Sequence, residues 1–118
     1  MKIALVTDTY FPRINGVSTS TQICGEEFAK LGHEVHVYAP SFPNQIDEND
    51  HLKVFRFPSM YLFFDPEDRL AKPWEDRKLV RQFMDAKYDI VHTQTPFTLG
   101  GPAVKWARKS GAKVVHTY

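Results

Sequence analysis

Short apolar runs alternate along this chain with longer stretches in which apolar positions recur at helical spacing. Lys2–Val6 (KIALV) is a continuous β-rich run that ends at Thr7 and Asp8. Unbroken rather than alternating apolar character predicts a strand buried on both faces, as in a parallel sheet. After a loop punctuated by Pro12 and Gly16, the period becomes helical from about Ser18 to Leu31. Thr21, Cys24, Phe28 and Leu31 fall on one side of that helix, and Glu26 and Lys30 are spaced as an i,i+4 pair. Ser18, Thr19 or Ser20 can cap its start, and Gly32 stands where a left-handed C-terminal cap is wanted.

The alternation continues to the end of the chain. His33–Ala39 (HEVHVYA) and His51–Phe57 (HLKVFRF) read as strands, separated by a loop over Pro40–Asp50. Ser59–Lys72 mixes aromatics with acids and a proline and is expected to be irregular. Pro73–Ala86 reads as a helix with Leu79, Val80, Phe83 and Met84 as its core stripe. Asp89–His92 is a strand, Thr93–Thr98 a loop, and Leu99–Lys109 a helix burying Leu99, Ala103, Trp106 and Ala107 and stopped by Gly111. Lys113–Thr117 is a last strand. Strand–helix alternation of this kind predicts an α/β fold, a Rossmann-like, doubly wound parallel sheet with helices on both faces. Ligands of such sheets gather at the carboxyl ends of the strands where strand order reverses. That directs attention to Thr7–Val17, Thr93–Thr98 and His116–Tyr118.

The first of these segments contains Asn15-Gly16-Val17 at the entry to a helix. Gly16 can let backbone approach a ligand closely or take a positive φ, and the helix start offers N–H groups and a positive dipole end to a phosphate. A tight turn that merely joins strand to helix is the other reading. The dinucleotide fingerprint GxGxxG is absent, which disfavours an oxidoreductase, and no Gly-Lys-Ser/Thr follows to make a P-loop.

Composition narrows the classes. The 118 residues fit one domain, and 42% hydrophobic content is enough for a core. A formal charge of +1 argues against a nucleic-acid partner, which demands an excess of cations. The single cysteine, Cys24, suits a reducing compartment, and the apolar start is too short for a signal peptide, so a cytoplasmic protein with at most peripheral membrane contact is expected. Five histidines are present. His33 and His36 are read as structural and His51 as solvated, whereas His92 and His116 each end a strand, where they either bond neighbouring loops or serve chemistry. No third ligand at fixed spacing accompanies those two, and no metal site is expected. Tyr61–Phe64 is an apolar run expected in the core or on a patch facing a partner or lipid. Lys72, Arg77, Lys78, Arg81 and Lys87 load one helical region with cations, either as a wet face or as a dock for anionic lipid, diluted by Glu75, Asp76 and Asp85.

TDTYFPRINGVSTS (Thr7–Ser20) resembles the opening of family 4 glycosyltransferases of the GT-B architecture. HTQTPFTLG (His92–Gly100) and VVHTY (Val114–Tyr118) resemble that family's second and third landmarks, in the same order, and the look is nearest to the diacylglycerol glucosyltransferase and mannosyltransferase branch. The resemblance implies that residues 1–118 are the amino-terminal, acceptor-side half of a GT-B fold, with a carboxyl-terminal donor domain absent from this chain. It implies a retaining transfer of a hexose from a nucleotide-sugar, a co-substrate rather than a cofactor, to a lipid or other hydroxyl acceptor. Asn15, Gly16 and Val17 would lie near the donor diphosphate; the family's usual loop has two glycines where this chain has Asn15-Gly16. Tyr10, Arg13, His92, Thr93, Gln94 and Thr95 would hold the acceptor, and His116 would sit near the reacting sugar carbon. The alternative is a stand-alone flavodoxin-like module that binds a phosphorylated small ligand without catalysis.

Overall fold

In the computed structural model, residues 1–43, 45, 47, 52–62, 65–95 and 98–117 are described. The elements are β1 (Lys2–Val6), α1 (Gly16–Lys30), β2 (Glu34–Pro40), β3 (Lys53–Phe57), β4 (Ser59–Leu62), β5 (Asp65–Ala71), α2 (Arg77–Asp85), β6 (Ile90–Thr93), α3 (Gly100–Ser110) and β7 (Lys113–His116). Five strands form one parallel sheet in the order β3-β2-β1-β6-β7. Strand order therefore reverses between β1 and β6, whose last residues, Val6 and Thr93, are register partners.

Successive residues of a strand face opposite sides, and the two sides carry two cores. Ala4, Val6, Tyr38 and Val91 pack with Phe83 of α2 and with Leu99, Ala103 and Ala107 around α3. Ile3, Leu5, Val35 and Val37 pack on the opposite face with Phe28 of α1. The sheet is thus doubly wound, as its continuous apolar strands predict. Aromatic rings thicken the first core: Tyr38 lies 4.8 Å edge-on from Phe83, which is 5.4 Å from Trp106.

Several local expectations change. Ser59–Lys72, expected to be irregular, contains an antiparallel hairpin of β4 and β5, braced internally by Arg69, which donates to Ser59, and tied to the end of β2 by Ser59 Oγ, which donates to Ser41 O. Proline and clustered acids hid the alternation there. Asn15 caps α1 instead of Ser18, Thr19 or Ser20. Leu31 is exposed rather than core, because the helix ends before it and Gly32 turns left-handed at φ 93°. Lys30 pairs with Glu27 at 3.2 Å, one turn position nearer than Glu26. The Pro73–Ala86 helix divides into a 3₁₀ turn, Pro73–Glu75, and α2, whose first turn is capped by Asp76 accepting from the Leu79 N–H at 3.0 Å. His51, Phe63 and Phe64 lie outside the described residues, as does Tyr118. His33 and His36 are structural: His33 Nδ1 meets the amino terminus at 3.0 Å, and His36 Nδ1 meets the Tyr88 hydroxyl at 2.7 Å.

Candidate functional site

The three segments singled out by pattern converge. The loops after β1 and β6 and the end of β7 leave adjacent parallel strands at the same rim, and the ladder runs one residue beyond each strand. The Thr7 N–H donates to Tyr38 O at 3.0 Å, the Gln94 N–H to Val6 O at 2.8 Å and the Thr117 N–H to Thr93 O at 3.0 Å. This is the crevice that an open α/β sheet makes at its switch point.

Asp8 fastens that crevice. Its backbone N–H donates to Thr95 Oγ1 at 2.9 Å, and the Thr95 hydroxyl donates back to Asp8 Oδ2 at 2.5 Å. The Leu99 N–H donates to Asp8 Oδ1 at 2.7 Å and the Gly100 N–H to Oδ2 at 3.4 Å. Leu99, at the N-cap position of α3, supplies no side-chain cap, so the carboxylate of Asp8 satisfies the helix start from across the sheet. A Cβ on Gly100 would come within 1.8 Å of the Thr95 carbonyl oxygen, so only glycine fits this approach.

The loop into α1 is held by its own side chains. Asn15 Oδ1 accepts from the Ser18 N–H at 2.8 Å while its Nδ2 donates to Thr9 Oγ1 at 3.0 Å, and Ser18 Oγ donates to Arg13 O at 2.7 Å. The Asn15 carboxamide is therefore spent on capping. Gly16 and Val17 follow at the first two helical positions, whose N–H groups have no intrahelical acceptor. Gly16 has no positive φ, and a Cβ there would meet nothing within 4 Å. Of the two uses expected for this glycine, a left-handed turn is ruled out and an open backbone face is present. That face borders a groove of about 560 Å³ lined by Ile14, Asn15, Gly16, Thr19, Ser20 and Ile23 among others.

The remaining candidates divide by burial. Tyr10 has no exposed surface; it packs edge-on to Phe11 at 5.3 Å and supports the loop from within the core rather than lining the rim. Thr93 is equally buried, and Gln94 is 8% exposed with its Nε2 unpaired. Arg13 and Thr95 are half-buried on the two loops. His92 Nε2 meets Thr117 Oγ1 at 2.5 Å, and His116 Nδ1 meets Thr93 Oγ1 at 2.5 Å. Thr93 and His116 are register partners and share the sheet face toward α3, which puts His92 and Thr117 on the other face. Burial, and secondarily the charge of His116, lowers the pKa of His92 below the ordinary imidazole range. Among the described residues no three His, Cys, Asp or Glu side chains gather as a metal site requires.

Two residues that pattern did not mark complete the rim. Asp8 lies two residues past β1, inside the Thr7–Val17 segment, but the only sequence signal of its capping role is the uncapped Leu99-Gly100-Gly101 start far downstream. Arg56 occupies what reads as a polar alternate of β3, yet its side chain is 7% exposed. It donates to Phe11 O at 2.6 Å, to Pro40 O at 3.0 Å and to Asp47 Oδ1 at 2.6 Å, and its guanidinium lies 5.5 Å from the Tyr10 ring centre. One fork thus joins β2, β3 and the loop after β1.

A second concavity, about 580 Å³, lies between α2 and α3, lined by Trp74, Val80, Met84 and Trp106 with Arg77, Arg81 and Lys105 at its border. Helices of a parallel sheet run against its strands, so the first turns of α2 and α3 stand at the same end of the molecule as the crevice. Trp74, just before α2, is 63% exposed. No helix among the described residues is long and apolar enough to cross a membrane.

The sequence profile described as Glycosyltransferase Family 4 matches residues 14–118. The chain is 34% identical over 120 residues to an alpha-monoglucosyldiacylglycerol synthase of Streptococcus pneumoniae, covering 100% of this chain and 26% of that protein. It is 30% identical over 122 residues to a GDP-mannose-dependent alpha-mannosyltransferase of Mycobacterium tuberculosis, covering 100% of this chain and 32% of that protein. A second alpha-monoglucosyldiacylglycerol synthase, from Acholeplasma laidlawii, is 31% identical over 117 residues, with 99% of this chain and 29% of that protein covered. The chain thus spans about a quarter to a third of the length of these curated relatives. The crystal structure of MurG from Acinetobacter baumannii superposes with a TM-score of 0.66 at 16% identity, covering 98% of this chain and 35% of that one, a likeness of fold. The α/β, Rossmann-like expectation holds on both the sheet topology and this likeness, and the stand-alone flavodoxin-like alternative is not favoured.

Proposed function

Because the chain belongs to glycosyltransferase family 4, we propose that it forms the amino-terminal, acceptor-side half of a retaining, nucleotide-sugar-dependent hexosyltransferase whose donor domain follows it. The observation that carries this reading is the convergence of the Asn15–Val17 turn, the loop after β6 and His116 on one rim at the reversal of strand order. In it, the N–H groups of Gly16 and Val17 and the positive end of α1 stabilise the leaving diphosphate as the anomeric carbon–oxygen bond breaks. The acceptor hydroxyl attacks from the same face and passes its proton to the departing diphosphate oxygen. His116, exposed at the end of β7, lies beside the reacting carbon. Arg13, His92, Gln94 and Thr95 line the acceptor side, while Tyr10 and Thr93, both buried, act by support.

The relatives' names support glucose or mannose as the hexose and a diacylglycerol lipid as the acceptor. The basic, tryptophan-bordered groove supports a lipid acceptor. Arg77, Lys78 and Arg81 are exposed beside Trp74 at the crevice end of the molecule, a combination suited to the cytoplasmic surface of an anionic bilayer, where each cation adds about 1 kcal/mol. The test is transfer by the full-length protein from UDP-glucose and from GDP-mannose to diacylglycerol in anionic vesicles. Turnover that depends on both Gly16 and His116 is expected; turnover unchanged by Gly16→Ala and His116→Ala would remove the assignment.

A further inference from the structure

Thr93 has no exposed surface, so nothing outside the protein, an acceptor included, reaches it. Its hydroxyl instead lies 2.5 Å from Nδ1 of His116, its register partner. The two residues differ in how firmly they are held. Thr93 ends β6, which is paired on both sides, by β1 and by β7. Its main chain is also bonded on both neighbours: Val6 O accepts from the adjacent Gln94 N–H, and Thr93 O accepts from Thr117. A β-branched side chain is in addition stiff at χ1.

His116 ends the edge strand β7, where Val115 is 44% exposed and the imidazole itself is exposed. An exposed imidazole turns about two side-chain bonds and exchanges between two tautomers. A hydrogen bond from a firmly held partner to one ring nitrogen settles the orientation of the ring, and so where the other nitrogen lies. His92 has no comparable anchor, since its partner Thr117 lies beyond the last residue of the edge strand.

We propose that Thr93 is a positioning residue: its buried hydroxyl fixes the ring plane of His116, and so where the imidazole stands at the crevice. The proposal rests on the functional reading of His116 for its effect on turnover, though not for its effect on the ring.

The experiment uses the full-length protein and three variants. Thr93→Val keeps shape and burial without the hydroxyl, Thr93→Ser keeps the hydroxyl, and His116→Ala removes the ring. With whichever of UDP-glucose and GDP-mannose is turned over, Thr93→Val is expected to lower kcat by about tenfold with KM for the donor unchanged. Thr93→Ser is expected to recover most of that loss, and Thr93→Val added to His116→Ala to cost nothing further. A Thr93→Val enzyme with full kcat while His116→Ala is impaired overturns the proposal, as does a loss that adds fully to that of His116→Ala. Should His116→Ala itself turn over normally, the functional reading of His116 falls. The side-chain couplings of His116, measured without substrate, then decide the positioning separately: one χ1 rotamer that becomes an averaged mixture in Thr93→Val upholds it, and identical couplings refute it.

Discussion

Asp8 and Thr95, 87 residues apart in the chain, exchange two hydrogen bonds across the switch point, one from the Asp8 backbone and one back from the Thr95 hydroxyl to the carboxylate. The same carboxylate takes the first N–H groups of α3. Replacing Asp8 by Ala leaves those buried donors without acceptors, at about 1–3 kcal/mol. Denaturant unfolding is expected to show that loss. Asp8→Asn, which keeps one acceptor oxygen, is expected to lose less; equal losses in the two variants would remove the capping account.

The two glycines of the rim predict opposite outcomes. Gly100→Ala drives a Cβ to 1.8 Å from the Thr95 carbonyl oxygen, a backbone atom that no rotamer can move. Overpacking of this kind costs about 1–3 kcal/mol. At Gly16 the space is open and the backbone ordinary, so Gly16→Ala is expected to leave stability unchanged or raised by less than about 1 kcal/mol, read as an equal or slightly higher Tm. If the diphosphate sits against that backbone, the same variant lowers turnover of the full-length enzyme by about tenfold or more, about 1.4 kcal/mol of transition-state stabilisation. A Gly16→Ala protein with lowered Tm and normal turnover contradicts both halves.

Acid is expected to weaken the fold through two histidines. Burial lowers the pKa of His36, although Glu34 pulls it upward, and burial lowers that of His92. Below the ordinary imidazole value of 6.5 the unfolded chain binds protons that the folded chain refuses. Stability is therefore complete above about pH 6.5 and declines as pH falls through the lower folded values. Urea midpoints between pH 8 and 5 measure this, and His36→Gln is expected to flatten the slope. An unaltered slope assigns the effect elsewhere.

Arg56→Lys keeps the charge and loses the fork. The guanidinium bonds Phe11 O, Pro40 O and Asp47 together, and a lysine ammonium cannot span all three. A cost of about 1.5–3 kcal/mol is expected, with faster amide exchange at Arg13, whose N–H bonds Tyr10 O. Retained exchange protection at Arg13 would show that the loop does not depend on this residue.

The parallel sheet was legible because β1 is apolar without interruption and because Gly32 and Gly111 end helices in left-handed conformations. Periodicity and turn chemistry are local, and these features are local. The hairpin of β4 and β5 was not legible, since its acids and proline mask the alternation that a strand displays. The rim was legible as three segments, and its internal wiring was not. Asp8, Arg56 and Thr93 each act on a partner brought close only by the sheet, at separations of 91, 45 and 23 residues. Nothing in the neighbourhood of Arg56 distinguishes a clasping arginine from a solvated one, and a threonine at a strand's end reads the same whether it meets a ligand or a histidine.

Pairing of β1 with β6 joins the chain's opening residues to residues near its end. Closing so large a loop costs chain entropy that the contacts across the sheet must offset. The crevice is built on that pairing, so it exists only where both segments are present and paired. A chain in which β1 and β6 have parted carries no fractional version of it, and ligand capture reports on that one union.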